Sequence, residues 1–513
     1  MCGATVNEPL TRPRSAGLVS QRPLLLALAL TAVITAVRMT GTVDSDVAWQ
    51  LWIAQRIHAG ADLYRDIIET NPPLWFWMAL PVDRAATLLH VRPEPVLVAA
   101  MGLLVALSLI ATERLIRHIH PKRRTLLLGF GAVALAAMPW AHVGQREHIV
   151  LIGTVPYAAL IAARRESRRV PAGLAILIGV GAALGFALKQ YFLLVPAALE
   201  LWLLAGLRGH WRAARPETVA IVGAGLGYAA ALIAFERDFL TTIVPLIGLA
   251  YGVFGAPSLS YMFGPFAILG LTILAFALAH AKLLAARRAP LAEALLVASL
   301  AFAAIYFIQF KGWPYHAIPL IGCASLALAA LLAEAGAQST VQRIGTPVLL
   351  ALPLLLSAQE QRTPGLPSPD LLAALEGLRP GDAVGFLTTE TAVPWSVTLQ
   401  GRYRYASRYN GFWMMRAIIR NEVNSDPDPR LGELGRLIVA ETVTDFECTP
   451  PARIFVSRPR PGEDGFDILP FFLRDPRFAE LLSHYRVRGR TSLETYELIS
   501  PLSRPAGPCR EGI

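Results

Sequence analysis

The sequence predicts an α-helical protein that crosses a membrane many times and carries a small α/β domain at its C-terminal end. Of its 513 residues, 54% are hydrophobic and only 16% are charged, and the mean hydropathy is +0.47. Because a soluble globular protein has about 25% charged residues, much of this surface must face something other than water. The composition excludes a disordered chain, a nucleic-acid-binding domain and an ordinary cytosolic enzyme.

Eleven segments are candidate transmembrane helices by the rule of about 20 largely apolar residues, although several are shorter than that. They lie near 23–42, 95–116, 125–141, 149–163, 170–188, 191–207, 217–235, 261–281, 290–308, 314–335 and 344–359. The first follows a basic tail, residues 1–22, and is too long for the apolar region of a cleaved signal peptide. We therefore expect a cytoplasmic N-terminus, a transmembrane region over 23–359 and a polar domain over 360–513.

The positive-inside rule decides whether the apolar segment 73–91 also crosses the membrane. Lysine and arginine residues cluster in four loops, at 114–124, 164–169, 208–215 and 282–288. All four loops are cytoplasmic only if 73–91 does not cross, and Asp83 and Arg84 would be costly at bilayer depth. We interpret 73–91 as an amphipathic helix at the outer interface, within a first outer loop over 43–94.

This orientation places the C-terminal domain outside the cytoplasm, as in a multi-pass protein of a bacterial inner membrane with a periplasmic domain. In this orientation most of the excess positive charge behind the net charge of +10 lies in short cytoplasmic loops, where it orients the chain in the membrane. The domain mixes predicted strands and helices, which indicates a small α/β fold. The strands are Ala383–Thr388 and Ile454–Ser457, and the helices are Leu371–Leu378, Arg408–Asn421 and Leu431–Ala440. Cys448 and Cys509 lie in an oxidising compartment in this orientation, and the sequence leaves their pairing open.

Polar residues on the outer side form four clusters, of which the first is Asp44-Ser45-Asp46. It precedes an interfacial helix predicted over 47–60. A carboxylate at the start of this helix would lie at the membrane surface, where it is able to take a proton from an acceptor hydroxyl as general base. The alternative is that Ser45 or Asp46 only caps the helix.

The second cluster consists of Arg65, Asp66, Glu69 and Asn71, just before two prolines. Because residues before proline are held extended, a stiff turn between two interfacial helices explains the prolines. It does not explain four polar or charged side chains, which we assign to the loop that faces the acceptor.

The third cluster is Gln145-Arg146-Glu147-His148, in a tight outer hairpin. The guanidinium fork of Arg146 is suited to two phosphate oxygens, and His148 is a further candidate for phosphate binding. The alternative is a solvated hairpin tip. His142, just before the hairpin, is interpreted as an ordinary interfacial residue.

The fourth cluster consists of Lys189, Lys311 and His316 at outer helix ends. Cations are disfavoured on this side, and the phosphate of a membrane lipid would explain them. The alternative is snorkelling towards lipid headgroups. The aromatic and basic run over 395–413 is interpreted mainly as core.

The first outer loop resembles that of the GT-C glycosyltransferases. The run that carries the resemblance is Asp46-x-x-Trp49-x-x-Trp52-Ile53-Ala54, then Leu63-Tyr64-x-Asp66 and Glu69-x-Asn71-Pro72-Pro73-Leu74. It is most similar to the branch that holds protein O-mannosyltransferases and lipid A aminoarabinose transferases. The resemblance covers about the first third of the chain and implies a GT-C-like fold. The loop over 236–260 resembles the flexible loop that closes over substrates in related enzymes.

The resemblance also implies an activity. A sugar would move from a polyprenyl-phosphate donor to a lipid, glycan or protein acceptor at the outer face, with inversion. It assigns the general base to Asp46, with Asp44 as the alternative because this chain has Asp46-Val47 where the family usually has Asp-Glu. Glu147 matches a second acidic residue of the family, in the second outer loop.

Two points stay open at this stage. The first is whether a divalent cation is bound. Hard cations such as Mg²⁺ or Mn²⁺ prefer carboxylates, and Asp44, Asp46 and Glu147 would supply them. The other is function: a transporter or flippase, or a polymerase or ligase of lipid-linked glycans, is the alternative. The nearly uncharged spans and the lack of an evident repeat disfavour a transporter. The expected partners are the lipid donor, the acceptor and the membrane, with no nucleic acid.

Overall fold

The structure is a computed structural model that describes residues 15–253, 259–283, 289–335, 340–360, 369–458, 466–490, 493–502 and 509. Four sequence features fall wholly or partly outside these residues. They are the basic tail up to residue 14, part of the loop over 236–260, most of the basic loop at 282–288, and residues 361–368 at the expected start of the C-terminal domain.

The membrane region is built almost entirely from helices. They are α1 (Ser15–Arg38), α2 (Ser45–His58), α3 (Leu74–Leu89), α4 (Pro93–Ile116), α5 (Pro121–Ala132), α6 (Arg146–Arg165), α7 (Ala172–Phe186), α8 (Leu194–Leu207), α9 (Pro216–Phe235), α10 (Val244–Ala250), α11 (Leu259–Met262), α12 (Pro265–Leu283), α13 (Pro290–Gln309), α14 (Ile318–Ala335) and α15 (Thr340–Glu360). A π-helical turn, Val133–Ala137, extends α5, and a second one, Phe239–Ile243, precedes α10. Single 3₁₀ turns at Gln190–Leu193 and Pro314–Ala317 lead into α8 and α14.

Each of the eleven apolar segments predicted from the sequence coincides with one of these helices. Within the described residues, eight helical segments are long and apolar enough to cross a membrane. They are Gln21–Arg38, Pro93–Ile116, Gln190–His210, Pro216–Phe235, Pro265–Lys282, Pro290–Gln309, Pro314–Glu334 and Thr340–Gln359. The chain is therefore a multi-pass membrane protein, and the total of eleven spans stays a prediction because α5, α6 and α7 fall short of that standard.

The first outer loop contains the two helices that the sequence predicts. Helix α2 begins at Ser45 because Oδ1 of Asp44 accepts the N–H of Asp46 at 2.8 Å, which satisfies a donor of the first turn. Helix α3 lies within the predicted segment 73–91. Oδ2 of its buried Asp83 lies 2.6 Å from Nδ1 of His58 on α2. The cap is therefore Asp44, and neither Ser45 nor Asp46 serves as one.

The C-terminal part is a mixed α/β fold around a five-stranded sheet. Its helices are α16 (Pro369–Leu375), α17 (Ala392–Trp395), α18 (Thr398–Gly401), α19 (Met415–Glu422), α20 (Pro429–Cys448), α21 (Leu469–Phe472) and α22 (Pro476–Ser483). Its strands are β1 (Ala383–Leu387), β2 (Arg404–Tyr405), β3 (Arg453–Ser457), β4 (Tyr485–Arg490) and β5 (Leu493–Leu498). The order is β2-β1-β3-β5-β4, in which β1 runs parallel to β2 and β3, and β5 runs antiparallel to β3 and β4.

The predicted strands at β1 and β3 and the predicted helix within α20 are confirmed, and a disulfide joins Cys448 to Cys509. The helix expected over Arg408–Asn421 is wrong in its first half, since α19 begins only at Met415. The reason is tertiary: the carbonyl of Arg408 accepts the N–H of Ile68 at 2.8 Å, which holds this segment extended against the first outer loop.

Aromatic side chains join α2 to the C-terminal sheet. The rings of Trp49 and Trp52 lie 4.8 and 5.3 Å from that of Trp395, which in turn lies 4.9 Å from Tyr405 on β2. Trp395 is 1% exposed, so its interpretation as core is confirmed. Because rings at these distances contribute beyond the area they bury, the C-terminal part fixes the position of α2.

Helices α6, α7 and α9 approach one another closely at glycines. A Cβ on Gly185 of α7 would lie 2.9 Å from Cα of Val150 on α6, and one on Gly179 would lie 2.7 Å from the carbonyl oxygen of Glu217 on α9. A Cβ on Gly181, in the same helix, would meet nothing within 4 Å. Gly179 thus lies where α7 packs closely against α9, whereas Gly181 has room for a side chain.

We expect Gly179→Ala to destabilise the protein by about 1–3 kcal/mol, because backbone atoms of α9 have to move away from the added methyl group. The measurement is the thermal unfolding midpoint of the purified protein in detergent. Gly181→Ala is the matched control and is expected to unfold at the wild-type temperature or slightly above it. Equal midpoints for the two variants would contradict the close packing of α7 on α9.

Candidate active site

A cavity of about 690 Å³ lies between the first outer loop, the outer helix ends and the C-terminal part. This volume is within the range of small-molecule sites. Seven residues that the sequence analysis selected line it, namely Asp46, Glu69, Asn71, Arg146, Lys189, Lys311 and His316. Residues more than 260 positions apart in the sequence therefore meet at one site.

The two carboxylates of the first cluster have different surroundings. Asp44 is fixed outside the cavity lining by Nδ1 of His142 at 3.1 Å and by Nε2 of Gln145 at 3.0 Å. Burial alone would raise its pKa, but the hydrogen bond and charge of His142, with the backbone bond to Asp46, lower the pKa of Asp44 overall. Asp44 therefore stays ionised as a cap and a partner of His142.

Asp46 lines the cavity, where the hydroxyl of Tyr315 donates to its Oδ2 at 3.2 Å. Burial, together with the nearby charge of Asp44, raises the pKa of Asp46 from 3.8 to about 6, although Arg146 and Tyr315 act in the opposite direction. A carboxylate with a pKa close to neutrality is suited to accept a proton and release it again. Of the two candidates for the base, the geometry favours Asp46.

Arg146 is the first residue of α6 and is 5% exposed. Its Nε and Nη1 have no hydrogen-bond partner among the described residues. A buried guanidinium with unsatisfied donors is costly, and two oxygens of a phosphate would satisfy its fork. The side chain of Arg146 is thus the strongest candidate for anion binding in the cavity.

Lys189 and Glu147 form a buried ion pair at 2.6 Å, with the two side chains 12% and 1% exposed. Nζ of Lys189 also lies 3.2 Å from Oε1 of Gln309 and 3.2 Å from Nε2 of His316. These three contacts match the three donors of an ammonium group. Burial lowers the pKa of Lys189, and Glu147 opposes that shift. Lys189 therefore stabilises the wall of the cavity through Glu147, and its donors are already engaged.

Lys311 lies in the loop before Pro314–Ala317, with Nζ 4.5 Å from the ring centroid of Tyr251. Burial lowers the pKa of this lysine. Tyr251 belongs to the loop expected over 236–260, most of which is helical in the described residues. Lys311 thus lines the cavity together with Arg146 and Lys189.

Glu69 and Asn71 organise the first outer loop around the cavity. Oε2 of Glu69 accepts a hydrogen bond from Nε1 of Trp49 on α2. Oε1 of Glu69 accepts from the backbone N–H and from Nδ2 of Asn71 at 2.7 and 2.6 Å. Since Glu69 is 4% exposed and saturated with donors, it positions the loop against α2.

Besides Asp44, four residues selected from the sequence lie outside the cavity lining. Arg65 is exposed and pairs with Asp238, and Asp66 is buried and accepts the backbone N–H of Asp62 at 2.9 Å. Both ring nitrogens of His148 are engaged by backbone groups, the N–H of Gly144 and the carbonyl of Leu135. The geometry therefore does not favour His148 as a phosphate ligand. Glu147, the fourth, acts through Lys189.

Other lining residues were not selected from the sequence because no local pattern marks them as functional. They are Gln50, Gln309, Tyr315, Thr391 and Asn410. Trp413, from the run over 395–413 that was interpreted mainly as core, also lines the cavity. The interpretation of His142 as an ordinary interfacial residue is wrong, since it is buried beside Asp44. Only the fold brings these side chains to the site.

The residues proposed for a divalent cation do not fit one. In the described part of the chain, no three His, Cys, Asp or Glu side chains are grouped as metal ligands. Asp44 is bound to His142 and Gln145, and Glu147 is bound to Lys189. The cation site that the sequence left open therefore finds no support in the geometry.

No protein-family model and no curated protein sequence matches the chain. Solved structures do match. ArnT from Cupriavidus metallidurans in the apo state has a TM-score of 0.53 at 15% identity, covering 96% of this chain and all (100%) of that chain. ArnT bound to undecaprenyl phosphate has a TM-score of 0.52 at 14% identity, covering 95% and 100%. The oligosaccharyltransferase AglB from Archaeoglobus fulgidus, in complex with an inhibitory peptide and a dolichol-phosphate, reaches 0.43 at 10% identity, covering 86% and 70%.

The likeness to ArnT extends over nearly the whole chain, so the GT-C-like fold expected from the first outer loop is confirmed. At this level of identity the likeness concerns the fold, and the more distant AglB carries no further argument.

We expect Tyr315→Phe to raise the pKa of Asp46 above about 6, since a hydrogen bond to the ionised form of a carboxyl group lowers its pKa. The measurement is a pH titration of the infrared band of the protonated carboxylic acid, assigned by its loss in Asp46→Asn. Tyr403→Phe, a tyrosine outside the cavity lining, is the control. An unchanged titration in Tyr315→Phe would contradict the contact.

Proposed function

We propose that this protein is a glycosyltransferase that moves a sugar from a polyprenyl-phosphate donor to an acceptor hydroxyl at the outer face of the membrane. One observation carries the proposal. A single cavity combines Asp46, a carboxylate with a raised pKa, and Arg146, a buried guanidinium whose Nε and Nη1 have no partner among the described residues. One group is suited to remove a proton and the other to bind a departing phosphate.

The reaction then follows from the chemistry of these two groups. Asp46 takes the proton of the acceptor hydroxyl, and the acceptor oxygen bonds to the anomeric carbon of the donor sugar. The bond between that carbon and the phosphate oxygen breaks, and its electron pair leaves with the polyprenyl phosphate. Attack opposite the leaving group inverts the anomeric centre.

The cationic side of the cavity supports the leaving group. Arg146 is the proposed main contact to the phosphate, and Lys311 supplies a second charge. Donors that strengthen as charge develops lower the barrier. Lys189, whose donors are engaged by Glu147, Gln309 and His316, keeps this wall in place. No metal ion is needed to balance this step, and none is assigned.

The apolar side of the cavity supports a lipid-linked donor. It is lined by residues from several helices, Phe186, Leu193, Leu232, Phe239, Val244 and Ile247. An isoprenoid chain is uncharged and apolar, so it would bury its surface there favourably. A similar protein, ArnT, has been crystallised with undecaprenyl phosphate.

The proposed location follows from the disulfide and from the charge pattern. Disulfides persist in oxidising compartments, and Cys448 pairs with Cys509. We therefore propose a bacterial inner-membrane protein whose C-terminal part, the α/β domain expected over 360–513, lies in the periplasm. The cytoplasmic side carries the basic loops.

We expect Asp46→Asn to lower the rate of sugar transfer by at least about 100-fold, because the amide cannot accept the acceptor proton. The measurement is turnover of a radiolabelled polyprenyl-phosphate sugar by membranes, with binding of polyprenyl phosphate unchanged. Asp62→Asn, which removes an exposed carboxylate from the same loop, is the matched control and is expected to keep wild-type turnover. Retained turnover in Asp46→Asn would overturn the assignment of the base.

We expect Arg146→Gln to weaken binding of a polyprenyl phosphate about 10- to 100-fold, because a charge-assisted hydrogen bond contributes about 1.5–3 kcal/mol. The measurement is calorimetric titration of the purified protein in detergent. Arg430→Gln, at a position where the side chain is 73% exposed, controls for the loss of one positive charge. Wild-type affinity in Arg146→Gln would show that the phosphate binds elsewhere.

A further inference from the structure

The cavity has a second polar wall that the phosphate and proton chemistry does not use. Gln50 on α2 forms one part of it, and Thr391, Asn410 and Trp413 of the C-terminal part form the rest. The first outer loop and the C-terminal part are therefore both needed to complete this wall.

Gln50 gives the strongest indication that a ligand binds here. Its side chain is 2% exposed, and its Oε1 has no hydrogen-bond partner among the residues that the structure describes. A buried acceptor without a donor is unfavourable, so a ligand that brings a hydroxyl group would be favoured. Gln50 follows Asp46 by four residues, which places the two side chains on one face of α2.

The C-terminal part supplies complementary groups. Oδ1 of Asn410 accepts from Nε1 of Trp395 at 2.7 Å, so the amide of Asn410 presents its Nδ2 as a donor. The hydroxyl of Thr391 both donates and accepts. The ring of Trp413, 5.4 Å from that of Tyr251, adds an apolar surface. Hydrogen-bond acceptors and donors thus stand beside an aromatic ring.

This combination fits a sugar ring better than a peptide. Sugar hydroxyls donate and accept at once, and the C–H face of a sugar ring is apolar enough to pack on an aromatic side chain. A peptide would add to an open strand edge, but the extended backbone at Ile68 and Tyr409 is already paired as a β-bridge. Ile68 also donates its N–H to the carbonyl of Arg408.

We propose that this wall is the acceptor subsite, that the acceptor is a glycan, and that Gln50 determines specificity by accepting a hydrogen bond from an acceptor hydroxyl. The reacting hydroxyl of that sugar would then lie at Asp46. This inference rests on the proposed function, since it takes the cavity as the site of sugar transfer.

The test measures binding of acceptor analogues without any donor. The full-length protein is purified in lauryldimethylamine oxide, which carries no sugar, and titrated with methyl glycosides of mannose, glucose, galactose and arabinose by saturation-transfer NMR. At least one is expected to bind saturably, and Gln50→Leu is expected to weaken that binding at least about tenfold. Gln55→Leu, on the same helix but outside the cavity lining, is the matched control and is expected to bind as the wild type does.

Two further variants keep the test decisive. Thr391→Val exchanges side chains of similar volume at a half-buried position and is expected to weaken glycoside binding several-fold. It replaces Gln50→Leu as the test variant if Gln50→Leu does not fold. Asp46→Asn is expected to retain glycoside binding while it loses transfer.

The outcomes separate this inference from the function. If no glycoside binds the wild type, if Gln50→Leu and Thr391→Val bind normally, or if a serine-containing peptide binds through Gln50, the glycan subsite is overturned even where transfer depends on Asp46. If glycosides bind as expected but Asp46→Asn retains transfer, the proposed base fails and the subsite stands.

Discussion

The constraint on which this structure depends is that a charge removed from water needs a partner. Most buried charges satisfy it. Glu217 accepts hydrogen bonds from Arg164 and Arg215 at 2.9 Å, and Asp445 is bound by Arg408 at 2.7 Å. Arg146 departs from the rule on the cavity wall. Arg146 lies near the carboxylate of Asp46, but its Nε and Nη1 have no hydrogen-bond partner among the described residues. An anion that accepts from these two donors would relieve the cost of their burial, which is why we propose a ligand phosphate at this wall.

The membrane helices could be predicted because the bilayer requires long apolar segments, and each predicted segment proved to be helical. The C-terminal part was harder. Strand β4, Tyr485–Arg490, alternates Tyr485, Val487 and Gly489 with three arginines, which is the period of a strand, but the segment is short and was not selected from the sequence. Residues 408–414 have a helical pattern, but Arg408 and Tyr409 pair with Ile68 of the first outer loop. Tertiary contacts overrode local preference there.

The candidate site was predicted in part, since charges on the outer side of a hydrophobic protein are conspicuous. That argument found Asp46, Arg146 and Lys311, yet it also selected Arg65 and His148, whose partners lie elsewhere. Uncharged residues such as Gln50 and Tyr315 could not be found, because amides and tyrosines are common at interfaces. They matter because the fold brings them close to the charged residues of the cavity, and local composition does not show which remote segments come together.

Asp44 and Asp46 show how the fold divides one sequence cluster into two roles. A cap acts best when ionised, because it accepts a backbone N–H at the positive end of a helix, and the pKa of Asp44 is lowered. A base acts best with a pKa near the working pH, and the pKa of Asp46 is raised to about 6, in part by the charge of Asp44 itself. Because the cap fixes where α2 begins, it also fixes the direction in which the next carboxylate points. The two residues are therefore not interchangeable: Asp44 caps α2, and its charge adds to the effect of burial in raising the pKa of Asp46.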